Sequence, residues 1–73
     1  MQKLILEMRK TRGENQSEFA ARLGISQGML SYLESGDRVP GRKTIKSLLI
    51  IATEEEAQAI LNALRDDRQG HQS

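Results

Sequence analysis

Ser26, Gln27, Gly28, Ser31 and Tyr32 are the residues best suited to chemistry in this chain. At about 100° per residue, Gln27, Gly28, Ser31 and Tyr32 share one face of a short helix, while Met29, Leu30 and Leu33 share the other. The polar face carries no charge, whereas a face that is merely solvated more often carries Lys and Glu. Gln27 presents a planar fork that donates and accepts at once. The hydroxyls of Ser31 and Tyr32 do either. Gly28 leaves bare backbone open to a close approach. Ser26 stands at the N-terminal end, where its hydroxyl also makes a good cap. Such a face suits recognition by hydrogen bonding, not bond breaking. The competing reading is that Gln27 and Ser31 are ordinary surface residues.

Two turns of helix are not stable alone, so this segment must press on others. The stretch before it supplies one partner. Over Gln16–Leu23 the spacing places Phe19, Ala20 and Leu23 on one face, with Ser17, Glu18, Ala21 and Arg22 opposite. Gly24-Ile25-Ser26 then reads as a tight turn. Gly24 is suited to a left-handed exit, Ile25 plugs the corner, and Ser26 caps the next helix. Ala20 is small where a steeply crossing helix comes closest. Residues 2–12 read as a first helix with Leu4, Ile5 and Met8 inward, stopped at Gly13. Asn15 is the expected N-cap of the second helix. Residues 42–52 read as a fourth, burying Ile45, Leu48, Leu49 and Ala52. Thr53-Glu54-Glu55-Glu56 has the capping-box pattern for a fifth helix reaching about Arg65.

The balance of residues excludes several functions. The chain has 73 residues, no Cys, and a single His, His71, in the polar tail. No nucleophile–base pair, metal-ligand cluster or Gly-rich phosphate loop is in sight, so neither catalysis nor a cofactor is expected. Nothing approaches a transmembrane run, and the apolar stretch after Met1-Gln2-Lys3 is too short for a signal peptide. A cytoplasmic setting without membrane or small-molecule ligand follows as the expectation. Net charge is only +1, but it is unevenly spread. Residues 1–12 and 37–53 each carry four Lys/Arg against one acid, while 13–36 and 54–73 are net acidic. Basic segments bracket the central pair of helices, as expected if one face meets phosphate.

The central stretch resembles the helix-turn-helix of the lambdoid repressor and Cro family. The unit opens with Gln16, has a small residue at its fifth position (Ala20) and Gly at its ninth (Gly24). Aliphatics follow at its fifteenth and eighteenth, Leu30 and Leu33. The likeness spans about Ile5 to Ala52. It departs at Glu14, where the family usually has an apolar residue closing a hydrophobic staple. It departs again at Thr53, where the family often has a Gly-containing turn.

The resemblance implies an all-α, five-helix domain over 1–65, while the polar, aperiodic residues 66–73 read as a disordered tail. It implies duplex DNA as partner, the third helix in the major groove, and base contacts from Ser26, Gln27, Gly28, Ser31 and Tyr32. Gln16, with the free N–H groups at its helix start, and Arg38, Arg42 and Lys43 of the following loop are the implied phosphate contacts. Arg9 and Glu34 match positions that the family joins by a salt bridge. Ile51, Ala57, Ile60, Leu61 and Leu64 serve either as a core stripe or as a homodimer seam, and in Leu48-Leu49-Ile50-Ile51 at least one Ile is in excess of what one core needs. The expected function is a small dimeric transcriptional regulator, most simply a repressor on a near-palindromic operator. An activator or controller of the same fold, and an antitoxin-like protein-interaction module, stay open at this point.

Overall fold

The computed structural model describes the backbone of residues 1–72 and the side chains as far as Arg65. Five helices follow one another: α1 (Gln2–Thr11), α2 (Gln16–Leu23), α3 (Gln27–Ser35), α4 (Arg42–Ile51) and α5 (Glu54–Gln72). No strand interrupts them among the described residues. The helices pack α2 on α3, α1 on α3 and α5, and α4 on α5 and α2. The Cα radius of gyration, 11.8 Å, is close to the roughly 11 Å of a compact chain this long.

One core unites them. Ile5 and Met8 of α1, Phe19, Ala20 and Leu23 of α2, Leu30 and Leu33 of α3, Leu48 of α4 and Ile60 of α5 are all buried. Leu4, Met29, Ile45, Leu49, Ile51, Ala52, Leu64 and the corner residue Ile25 pack against this core while partly exposed. Phe19 is the sole buried aromatic, and truncating such a ring to Ala costs about 3–5 kcal/mol. That exceeds half of what a core of this size supplies.

Local chemistry sets the helix ends. The Asn15 side chain accepts from the Glu18 N–H at 2.8 Å, and the Glu18 carboxylate accepts from the Asn15 N–H at 3.0 Å. This reciprocal box satisfies two donors that a helix start leaves unpaired. Thr53 and Glu56 repeat it at the start of α5, at 3.1 and 2.9 Å. Ser26 accepts from the Met29 N–H at 3.1 Å, as expected of a cap. Gly24 exits α2 with φ +73°, a left-handed conformation disfavoured by any Cβ. Gly36 does the same for α3 at φ +86°. There a Cβ would also lie 1.8 Å from the Gln2 amide oxygen, so α1 closes directly over the end of α3.

Two ion pairs join distant helices. Arg9 meets Glu34 through two bonds of 2.7 and 3.1 Å, which ties α1 to α3. Arg12 forks onto Glu56 at 2.7 and 2.9 Å and donates to the carbonyls of Met8 and Ile51, both at 2.9 Å. It therefore holds α1, the end of α4 and the start of α5 together. Glu14 does not close a staple. It pairs with Arg22 of α2, and its own carbonyl accepts from Arg9 at 3.0 Å. The junction of α1 and α2 is thus polar where an apolar staple would otherwise stand.

Several expectations shift. Helix α1 ends at Thr11 and α4 at Ile51, each one residue early. Helix α5 continues to Gln72 instead of ending near Arg65: residues 66–69 hold no helix breaker, and a single Gly, here Gly70, disfavours a helix by only about 1 kcal/mol without ending it. The side chains of the tail expected over 66–73, His71 among them, fall outside the described residues. The apolar stripe of α5 also divides. Ile60 is fully buried, Ala57 and Leu64 partly so, but Leu61 is 50% exposed. Ile60 and Leu61 differ by about 100° around the helix, and the core lies on the Ile60 side. In α4, Ile51 packs on the core and Ile50 is the surplus residue, 74% exposed.

Candidate nucleic-acid interface

Helices α2 and α3 with their Gly24–Ser26 turn form the centre of the molecule, and the core fixes which face of α3 is outside. Because Leu30 and Leu33 are drawn inward, Gln27, Gly28, Ser31 and Tyr32 are all exposed, and so is Ser26. Nothing lies within 4 Å of where a Gly28 Cβ would be, so the face is open at that point. The Ser26 hydroxyl is committed to the Met29 N–H as acceptor, while its own proton remains available.

Gln27 is oriented from the neighbouring helix. The Ser17 hydroxyl of α2 donates to the Gln27 amide oxygen at 3.0 Å. That oxygen keeps its second acceptor site and the amide nitrogen keeps both protons, so the fork is still able to meet a purine edge. Gln16 is placed differently. Its amide nitrogen donates to the Glu34 carboxylate at 3.0 Å, and the side chain is half-buried beside the Arg9–Glu34 pair. The remaining N–H groups of the first turn of α2 have no intrahelical partner. Glu18 also lies in that turn and sets a negative charge beside them.

The basic residues separate into two groups. Arg9 and Arg12, which supply half of the positive charge of the N-terminal segment, are spent on Glu34 and Glu56 inside the fold. Arg38, Arg42, Lys43 and Lys46 are exposed and make no ion pair among the described residues. The loop that carries Arg38 is attached to α3: its backbone N–H donates to the Tyr32 carbonyl at 3.2 Å, and its guanidinium lies 5.6 Å from the centroid of the Tyr32 ring. Val39, next in the loop, is 82% exposed.

The carboxylates behind this surface are held ionised. Burial pushes the Glu34 carboxyl up, but hydrogen bonds from Arg9 and Gln16 outweigh it and leave the group below its ordinary range. Arg12 holds Glu56 down to about 2, against desolvation and with help from Thr53. The Arg22 hydrogen bond lowers Glu14. Each pair positions helices, and none opens toward a reacting group. Among the described residues, no three His, Cys, Asp or Glu side chains gather to hold a metal ion, and no helix is long and apolar enough to cross a membrane.

Comparison with known proteins bears on this arrangement directly. Residues 5–51 match the family described as Helix-turn-helix, the Cro/C1 type, and this span takes in most of α1 and all of α2 to α4. The chain belongs to that family. No curated protein and no solved structure matches it significantly. As a Cro/C1-type helix-turn-helix protein it is a DNA-binding transcription regulator, of a family that is typically non-enzymatic.

Some contacts of this helix-turn-helix were not read from the sequence. The Asn15–Glu18 box has the same pattern as Thr53–Glu56 and was legible there. The Ser17–Gln27, Tyr32–Arg38 and Arg12–Glu56 contacts join residues 10, 6 and 44 positions apart across different elements. No local periodicity signals them.

Proposed function

We propose that this regulator is a dimeric repressor that reads a near-palindromic operator with α3 in the major groove. The observation that carries it is the exposed, uncharged face of Gln27, Gly28, Ser31 and Tyr32 on the second helix of a helix-turn-helix. Gln27 reads a base through its amide fork, with Ser17 orienting it. Ser26 and Ser31 serve neighbouring base edges, and Gly28 admits the helix to the groove floor. The first-turn N–H groups of α2, with the second amide proton of Gln16, meet one phosphate. Arg38, Arg42 and Lys43 meet others.

One helix reads only a few base pairs, so pairing two copies adds specificity. Two recognition helices about 34 Å apart fit half-sites one turn of duplex apart. Leu61 and Ile50, exposed apolar side chains of α5 and α4, are the residues available to a second copy, whereas Ile60 is engaged in the core. On this reading the regulation is occupancy of the operator in the cytoplasm, which blocks polymerase.

Selection of bound duplexes from a random pool, at about 0.15 M salt where phosphate-only binding is suppressed, tests this. Enrichment of an inverted repeat supports sequence reading and two-fold symmetry together. A folded protein that enriches nothing would replace the operator reading with a protein-interaction role for the same fold.

A further inference from the structure

Tyr32 and Arg38 belong to different elements, yet two contacts couple them. The Arg38 N–H donates to the Tyr32 carbonyl at 3.2 Å, which fixes where the loop leaves α3. The Arg38 guanidinium then lies over the Tyr32 ring, 5.6 Å from its centroid. Neither side chain has another partner among the described residues: Arg38 makes no ion pair, and the Tyr32 hydroxyl makes no hydrogen bond. Tyr32 is 50% exposed, so the core does not require the ring.

A long Arg side chain on a loop samples many rotamers, and ordering it on a ligand costs free energy. An aromatic face removes part of that cost beforehand. It attracts the flat side of the guanidinium through the ring quadrupole and leaves the in-plane N–H donors free for phosphate oxygens. The phenol oxygen has no part in this. The ring face that holds Arg38 is also poorly placed to pack on a thymine methyl.

We infer that Tyr32 is a positioning residue for Arg38, presenting its guanidinium to a backbone phosphate, and is not a reader of bases. This rests on the DNA-binding reading above and reassigns one residue of the exposed face. Tyr32 acts through Arg38, so it adds affinity without adding sequence preference.

The test combines a mutant cycle with a measurement on free protein. Binding to a selected duplex and to a random duplex is followed over a range of salt for wild type, Tyr32→Ala, Tyr32→Phe, Arg38→Ala and the Tyr32→Ala/Arg38→Ala double variant. Tyr32→Ala should weaken both duplexes by the same factor, about two- to fivefold. It should also flatten the salt dependence by up to about 0.9 in the log–log slope. Tyr32→Phe should bind as wild type does, and Tyr32→Ala should add nothing once Arg38 is Ala. A loss confined to the selected duplex, a Tyr32→Phe as weak as Tyr32→Ala, or an undiminished loss without Arg38 overturns the inference while leaving DNA binding intact. A wild type that binds neither duplex overturns the DNA reading and the inference with it. Without DNA, the Arg38 side-chain protons should show upfield ring-current shifts by NMR that Tyr32→Phe keeps and Tyr32→Ala abolishes. Unshifted protons in the wild type refute the contact itself.

Discussion

Glu56→Gln should cost the fold about 2–3 kcal/mol at neutral pH, a large share of the 3–5 kcal/mol that a core of this size supplies. The carboxylate is held at about 2 from an ordinary 4.5, first by the bidentate Arg12 bond and further by Thr53. At about 1.4 kcal/mol per unit, that depression corresponds to at most roughly 3.5 kcal/mol of preference for the folded state, less what solvent screening removes. The pair is well enclosed, with side chains only 16% and 19% accessible, so water weakens it less than a surface bridge. Gln has the shape of Glu and keeps an acceptor for the Thr53 N–H. What it removes is the charge facing Arg12.

The sign of the pH dependence follows from the direction of the shift. A depressed carboxyl stabilises the folded state above its unfolded value near 4.5, and that contribution fades as pH falls toward 2. Urea unfolding of wild type and Glu56→Gln at a series of pH values isolates it. The difference between the two should be full at pH 7, shrink between about 4.5 and 2, and nearly vanish below that. Other carboxyls titrate in both proteins and cancel. A Glu56 carboxyl titrating near 4.5 by NMR, or a difference under about 0.5 kcal/mol at pH 7, refutes the clamp as an energetic element.

Three further outcomes bear on the interface. Gln27→Ala should cost about 1–3 kcal/mol on the selected operator and little on random DNA, whereas Arg42→Ala should weaken both alike and lower the salt slope by about 0.9; equilibrium titrations at several salt concentrations separate the two. Gly28→Ala should stabilise the free protein by about 0.4–1 kcal/mol, since its Cβ meets nothing within 4 Å, yet weaken operator binding by crowding the groove; thermal melts and titrations should move in opposite directions. Glu18→Gln should preserve the helix cap while raising affinity for any duplex by about two- to fivefold, because it removes a negative charge beside the proposed phosphate site at the start of α2. Unchanged binding by that variant would place the phosphate elsewhere.

What the sequence by itself determined is local. Helix periodicity identified α1 to α5 and the inward faces of α1 to α4. Short-range chemistry identified Asn15, Ser26 and Thr53 as caps and Gly24 as a left-handed exit, since those bonds close within three or four residues. The motif from Gln16 to Leu33 was enough to indicate the family. The tertiary structure decided which polar and charged residues are free. The Arg9–Glu34 pair was implied by the family resemblance, but Arg12 looked like the same basic surface as Arg38 and Arg42. Packing α1 against α3 and α5 engaged Arg9 and Arg12, partly buried, on Glu34 and Glu56, and left Arg38 and Arg42 exposed. It likewise turned Gln16 toward Glu34, set Ser17 on Gln27, and sent Ile60 inward and Leu61 outward. The physical reason is range: a cap or a helical stripe is written in neighbouring residues, whereas an ion pair spanning 44 positions exists only after three helices have met.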